Sequence, residues 1–238
     1  MEIKTDGIII KKQPFQEYDE IINVLSPDLG KIKIISKGIK KINNAAAGKL
    51  EVFSETSLIL HSGRNFYTCV EAEILNSHSK VMTELDSIMC GIYFMETVDK
   101  LIPYSEPDRD MYRILKRIIE SIEKGERFRL IPSGVYFLLK QAGMNPAADC
   151  CCICSEEKNL VCFDVRSGGL VCSKCPHSQD ADSDPETVEF MRELPHVRLS
   201  ILKKRFEPEI FDRARILLER HIYFHLNIIL KSGFFAGK

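Results

Sequence analysis

From the amino terminus to about residue 77, apolar and polar positions alternate in short runs separated by turn residues, the period-two pattern of β-strands. "DGIIIKKQ" is an apolar run with polar ends. "YDEIINVLS" and "KIKIIS" flank "PDLG", where Pro27 and Gly30 suit a turn between antiparallel strands. "EVFSETSLIL" and "FYTCVEAEIL" follow, joined through "HSGRN", whose Gly63 and Asn65 suit a hairpin loop. Five short strands, with the longer linker "KGIKKINNAAAG" between the third and fourth, predict a small closed barrel. Within "KIKII" the alternation places Ile32 and Ile34 toward the core and Lys31 and Lys33 on an exposed surface.

From about residue 82 the period lengthens to that of a helix, with Leu85, Ile88, Met89, Ile92 and Tyr93 at helical spacing until Pro103 stops the run. Ser105, with Pro107 and Asp108 in the first turn, predicts a second helix start before "MYRILKRIIESI". "RLIPSGVYFLLKQAG" predicts a third helix closing at Gly143, with Pro132 in its first turn. "DPETVEFMREL" predicts a short fourth. The longest, "EPEIFDRARILLERHIYFHLNIILKSG", carries an apolar stripe through Phe211, Ala214, Leu218, Ile222, His225, Leu226 and Ile229 and is expected to be capped by Gly233. The domains expected are 1–80 and 81–238, the second interrupted by an insertion at 146–178.

That insertion holds seven of the nine cysteines. Cys151-x-x-Cys154 and Cys172-x-x-Cys175 are separated by 17 residues, inside the spacing at which two knuckles converge on one tetrahedral ion. Between them "NLVCFDVRSGGLVC" predicts a hairpin turning at Ser167-Gly168-Gly169, which completes a zinc-ribbon layout. Cys150 and Cys152 adjoin the ligands; a register using Cys152 makes Cys-x-Cys, a poorer bite. Cys162 has the place of a small buried hydrophobe, and His177 is an alternative fourth ligand. Four thiolates leave no open coordination position, so the expected role of the metal is structural.

Composition and charge refine this picture. The chain has 238 residues, 45% hydrophobic and 28% charged, as expected of a globular protein. No apolar run reaches the ~18 residues needed to span a bilayer. "MEIKTDGIII" lacks the basic-then-apolar layout of a signal peptide, so the expected location is the cytoplasm, where clustered cysteines point to metal rather than disulfides. Net charge is only −1, but residues 29–50 carry Lys31, Lys33, Lys37, Lys40, Lys41 and Lys49 with no acid. Such a patch attracts polyanions whatever the overall balance. Arg64 at the hairpin tip extends the set, and Phe15, Tyr18 and Phe66 are candidates to stack on bases or to fill core. A second basic set, Lys203, Lys204 and Arg205, precedes the last helix, and Arg113, Lys116 and Arg117 decorate another; solvation is the plain account of both.

Catalytic motifs are lacking. His221 and His225 lie one helical turn apart, but Ile222 stands where a metalloprotease helix has its glutamate. The His-x-Glu of a zinc deaminase is missing. A binding protein is therefore expected rather than an enzyme, with a zinc hydrolase or deaminase the remaining catalytic alternative.

The order of these parts resembles the bacterial RecO family of recombinational repair mediators over essentially the whole chain. The resemblance rests on "DGIIIKKQPFQEYDEIINVLSPDLGKIKIISKGIKK", on "GKLEVFSETSLIL", and on "GVYFLLKQAGMNPAADCCCICSEEKNLVCFDVRSGGLVCSKC". The tetra-cysteine run departs from the pattern by carrying more thiols than it needs. The resemblance implies an α+β chain, a five-stranded OB-fold barrel followed by a helical domain carrying a four-cysteine zinc ribbon. It implies binding of single- and double-stranded DNA, strand annealing, and action with RecR to load RecA onto strands coated by single-strand-binding protein. Some members also hold the acidic tail of that coat protein. Such DNA partners place the protein at the nucleoid. An RNA- or ribosome-associated OB-fold protein is the alternative, since lysines do not distinguish ribose from deoxyribose.

Overall fold

The computed structural model describes residues 2–40, 47–64 and 66–235. Two compact units divide the chain, Met1–Gly125 and Glu126–Lys238.

In the first unit, β1 (Glu2–Pro14), β2 (Glu20–Ser26), β3 (Gly30–Ser36), β4 (Glu55–Ser62) and β5 (Tyr67–Asn76) close a barrel in the order β1-β2-β3-β5-β4. The long first strand serves two neighbours, pairing with β4 over Glu2–Ile8 and with β2 over Ile8–Pro14. A register shift between Ile9 and Lys11 marks where β1 turns the barrel corner. Closure between β3 and β5 is parallel and brief, Ile34 opposite Tyr67 and Ile35 opposite Thr68. Ile9, Ile22, Val24, Ile32, Ile34, Leu58 and Leu60 fill the interior, as the alternation requires.

Two helices pack onto this barrel, so the change of period near residue 82 marks a change of secondary structure, while the division between compact units falls after the second helix. In α1 (Leu85–Leu101) the buried face is Cys90, Gly91, Phe94 and Val98. Leu85 and Ile92 of the expected stripe are instead 71% and 43% exposed. Gly91 faces inward where the Phe53 ring approaches, and a Cβ there would lie 2.7 Å from it. α2 (Arg109–Glu123) begins one turn later than the sequence suggests. Asp108, not Ser105, is its N-cap, accepting from the amides of Asp110 and Met111. Ser105 has left-handed φ of 64° and its amide donates to the Lys31 carbonyl at 2.9 Å. Gly30 allows this close approach, since a Cβ there would meet the Glu106 carbonyl oxygen at 2.2 Å. The Tyr112 hydroxyl and Lys116 ammonium both donate to Glu55 on β4, at 2.7 and 2.8 Å, tying α2 to the barrel.

The second unit holds α3 (Leu130–Gln141), the hairpin β6 (Leu160–Asp164) and β7 (Gly169–Cys172), α4 (Pro185–Glu193), α5 (Leu199–Arg205) and α6 (Pro208–Leu226). Phe190 packs edge-on against Phe206 and Phe211, with ring centroids 5.2 and 4.8 Å away. The α6 stripe is buried at Phe211, Ala214, Leu218 and Ile222. It ends earlier than expected because Asn227, left-handed at φ 54°, caps the helix in place of Gly233. α5 is a separate helix that the basic composition of "LSILKKR" conceals. Among the described residues, no helix is long and apolar enough to cross a membrane.

Candidate nucleic-acid interface and metal centre

Strand register determines which loops meet. Pro14 of β1 lies opposite Glu20 of β2, Glu20 opposite Ser36 of β3, and Ser62 of β4 opposite Tyr67 of β5, which neighbours Ile34 of β3. The segments 15–19 and 37–40 therefore open on one rim of the barrel, while the β4–β5 connection precedes a strand parallel to β3 and lies toward the other end. Lys37 and Lys40 are exposed on the rim, beside exposed Phe15 and Tyr18; Arg64 is exposed on the β4–β5 connection. Two backbone ties organise the rim: the Lys40 amide donates to the Tyr18 carbonyl at 3.1 Å, and the Gly38 amide to Asp19 Oδ1 at 2.7 Å. Asp19 is thus occupied in shaping the loop, while Glu17 leaves one exposed acid among the cations. Phe66 is half-buried.

The remaining lysines of the expected patch go elsewhere. Lys31 is not on an exposed surface: it is 3% exposed, 3.7 Å from Asp99 Oδ1 and 4.2 Å from the centroid of the Tyr104 ring. The outward face of β3 is covered at this point by the end of α1 and the turn after it, which the alternation of one strand does not reveal. Lys33 is half-buried, with its ammonium 4.5 Å from the same ring. Lys49 sits near the start of β4, half-buried, where its carbonyl accepts from Thr56. Lys41 lies outside the described residues.

The second basic set is largely neutralised by its own unit. Lys203 pairs with Glu126 at 2.7 Å, and Arg205 with Glu193 and, at 2.8 Å, Glu189. Lys204 is exposed. Of the α2 cations, Arg113 pairs with Asp110 at 2.9 Å and Lys116 with Glu55, leaving Arg117 exposed.

The sulfurs of Cys151, Cys154, Cys172 and Cys175 lie within 4.8 Å of one another, with Cys154 and Cys172 3.6 Å apart. Four sulfurs each ~2.3 Å from one ion sit about 3.8 Å apart, so the donor set fits a tetrahedral metal. This geometry selects Cys151 over Cys150 and Cys152, which are half-buried neighbours outside the cluster. Burial works against ionising Cys151, but backbone hydrogen bonds at Cys172, Cys154 and Ile153 outweigh it and bring the thiol down to about 6. Burial pushes the Cys152 and Cys162 thiols up to about 11, and both sulfurs lie outside the four-sulfur cluster. Below the cluster, buried Asp164 accepts from the Ser178 hydroxyl at 2.6 Å, the Ser167 hydroxyl at 2.8 Å, and the amides of Arg166 and Ser178 at 3.0 Å. His225 donates from Nε2 to the Val165 carbonyl of the inserted ribbon at 2.7 Å, and His221 to the Met144 carbonyl just before it at 3.1 Å.

The chain thus has the architecture of an OB-type five-stranded barrel followed by helices and a ribbon whose four cysteines could hold a metal ion. The family models Recombination protein O N terminal and Recombination protein O C terminal match residues 1–78 and 82–233. The chain belongs to the RecO family. It is 25% identical over 240 residues to "DNA repair protein RecO" of Desulforamulus reducens, covering 99% of this chain and 94% of that one. To the protein of the same name from Caldanaerobacter subterraneus it is 23% identical over 241 residues, covering 99% and 98%. To that of Trichodesmium erythraeum it is 23% identical over 264 residues, covering 97% and 92%.

Proposed function

We propose that this chain is a recombination mediator that grips DNA at the barrel rim through Lys37 and Lys40, with Arg64 on the β4–β5 connection a separate contact. It anneals complementary single strands and, with RecR, helps RecA load onto strands coated by single-strand-binding protein. The observation that carries this reading is the pairing of the lysine-bearing segment 37–40 with the aromatic-bearing segment 15–19 on one rim of an OB barrel, in a chain of the RecO family. An OB rim reads sugar–phosphate and base faces rather than base edges, so contact with single and double strands is sequence-tolerant and weakens with salt. Lys31 is withdrawn from the contact set by its burial, and Lys33 belongs to the side of the barrel rather than its rim.

The ion in the four-cysteine cluster is zinc in this reading, and its chemistry is cross-linking. Cys151 and Cys154 on one knuckle and Cys172 and Cys175 on the other fill its tetrahedron, bracing a hairpin whose own core is small. No step of catalysis is assigned to it. Lys204 is the cation of the second set left to meet the acidic tail of the coat protein.

Annealing of complementary oligonucleotides pre-coated with single-strand-binding protein tests function rather than affinity. The chain is expected to speed duplex formation on coated strands, and RecR to modulate that rate. Annealing no faster than the coated strands alone, with the protein folded and metal-loaded, would contradict the mediator role.

A further inference from the structure

We infer that Tyr104 and Lys33 form a single-nucleotide subsite on the side of the barrel, where a base of single-stranded nucleic acid stacks on the tyrosine ring and its phosphate meets the lysine. This rests on the reading above and extends the DNA path away from the rim. Tyr104 is 41% exposed yet closely held. Its hydroxyl accepts from the buried amide of Asn23 at 3.1 Å. The buried Lys31 ammonium lies 4.2 Å from the ring centroid and that of Lys33 4.5 Å. Its backbone forms a parallel bridge with Lys31, and the next amide, of Ser105, donates to the Lys31 carbonyl at 2.9 Å.

A large aromatic that only filled core would be covered, and one that only decorated the surface would not be fixed at its hydroxyl, ring and backbone together. An ordered, accessible ring beside a cation is what base stacking requires, because the entropy of ordering the platform is already spent in the free protein. Among the described residues, Lys33 has the ring as its contact and no carboxylate, in contrast to Lys31 and Lys11, which share Asp99. Its long side chain can turn from the ring to a phosphate as a base takes its place. From Lys33 to the last residue of β3, Ser36, is about 10 Å at ~3.3 Å per residue, and the rim lysines follow directly. A strand running down β3 from the rim reaches Tyr104.

The chain has no tryptophan, so Tyr104→Trp installs a single fluorescent reporter at the subsite. Titration of this variant with a deoxythymidine oligonucleotide is expected to quench the indole in step with binding followed by anisotropy. Tyr104→Leu, which keeps Lys31 covered but has no π face, is expected to bind roughly tenfold more weakly, within the range of one stacked base. Tyr104→Phe is expected to retain most of the affinity. An indole left unquenched by a bound oligonucleotide, or a folded Tyr104→Leu variant of full affinity, overturns the subsite and leaves the rim reading intact. Failure of the unaltered chain to bind the oligonucleotide at low salt overturns both. If Tyr104→Leu does not fold, the quenching experiment alone decides. A matched RNA oligonucleotide that quenches more strongly than DNA assigns the subsite to RNA and likewise overturns its place in the DNA path.

Discussion

The ammonium of Lys31 lies 3.7 Å from Asp99 Oδ1, joining the start of β3 to the end of α1 across 68 residues of sequence. Burial lowers the Lys31 pKa while Asp99 works to raise it, so the pair exists to keep a desolvated cation tolerable. Asp99 also accepts from Asn23 and Lys11, at 2.8 and 3.0 Å. Asp99→Ala strands the buried lysine and is expected to cost about 3 kcal/mol, as removal of one partner of a buried pair does. Adding Lys31→Met to that variant removes the unpaired charge and is expected to recover part of the loss. Denaturant unfolding of the single and double variants measures this directly; an Asp99→Ala protein as stable as the parent would show that the pair is not an energetic tie.

The cysteine cluster makes a discriminating prediction about register. Cys172→Ser is expected to lower bound zinc and melting temperature together, because metal-binding energy is folding energy in such a small hairpin. Cys152→Ser, outside the cluster, is expected to leave one zinc per chain. Metal analysis of the two purified variants checks this, and zinc lost from Cys152→Ser but kept by Cys172→Ser would reassign the ligands. Oligonucleotide binding at the barrel is expected to survive in both.

Asp164 gives the ribbon a pH signature. Burial raises its pKa, but the donors at Ser178, Ser167 and Arg166 outweigh this and hold it at about 2. A carboxylate depressed on folding contributes stability that is fully present above its unfolded pKa of ~3.9 and lost as pH falls through the folded value. The contribution is about 2 kcal/mol at neutral pH by the rule of 1.36 kcal/mol per unit. Asp164→Asn is expected to melt lower than the parent near neutrality, and the gap between them to close as pH falls from about 4 to about 2. Thermal melts of both proteins across that range check it, and a gap independent of pH would mean the carboxylate charge is not what holds the loop.

Gly30 provides a backbone test. It has φ of 70° and no room for a Cβ against Glu106. Gly30→Ala is expected to cost at least about 2 kcal/mol from left-handed strain and displacement of the turn after α1. An unchanged unfolding midpoint would show that this turn is not anchored on β3.

The parts legible in the sequence are those governed by near neighbours. Five strands can be read because their alternation and turn residues are local, and the metal ligands because two Cys-x-x-Cys knuckles state their own geometry. Lys31 cannot be read correctly from "KIKII", since its burial depends on Asp99 and Tyr104, far along the chain. Tyr104 itself registers only as a residue after a helix-stopping proline. The α1 face is partly misleading for a related reason: Tyr93 is buried as expected, but Gly91 makes room for Phe53 while Leu85 and Ile92 remain exposed. The rim site is a product of register, which brings segments 15–19 and 37–40 to one end of the barrel and leaves Arg64 toward the other.

At the centre of this account is a DNA grip formed by the rim cations, and the most direct measurement is the salt dependence of single-strand binding by the Lys37→Glu, Lys40→Glu double variant. Leaving two phosphates of a single strand without their lysines reduces the slope of log K against log salt by about 1.4. The variant is expected to fold as the parent does, to bind at least about tenfold more weakly at low salt, and to show that shallower slope. A folded double variant with the parent's affinity at low salt would contradict it.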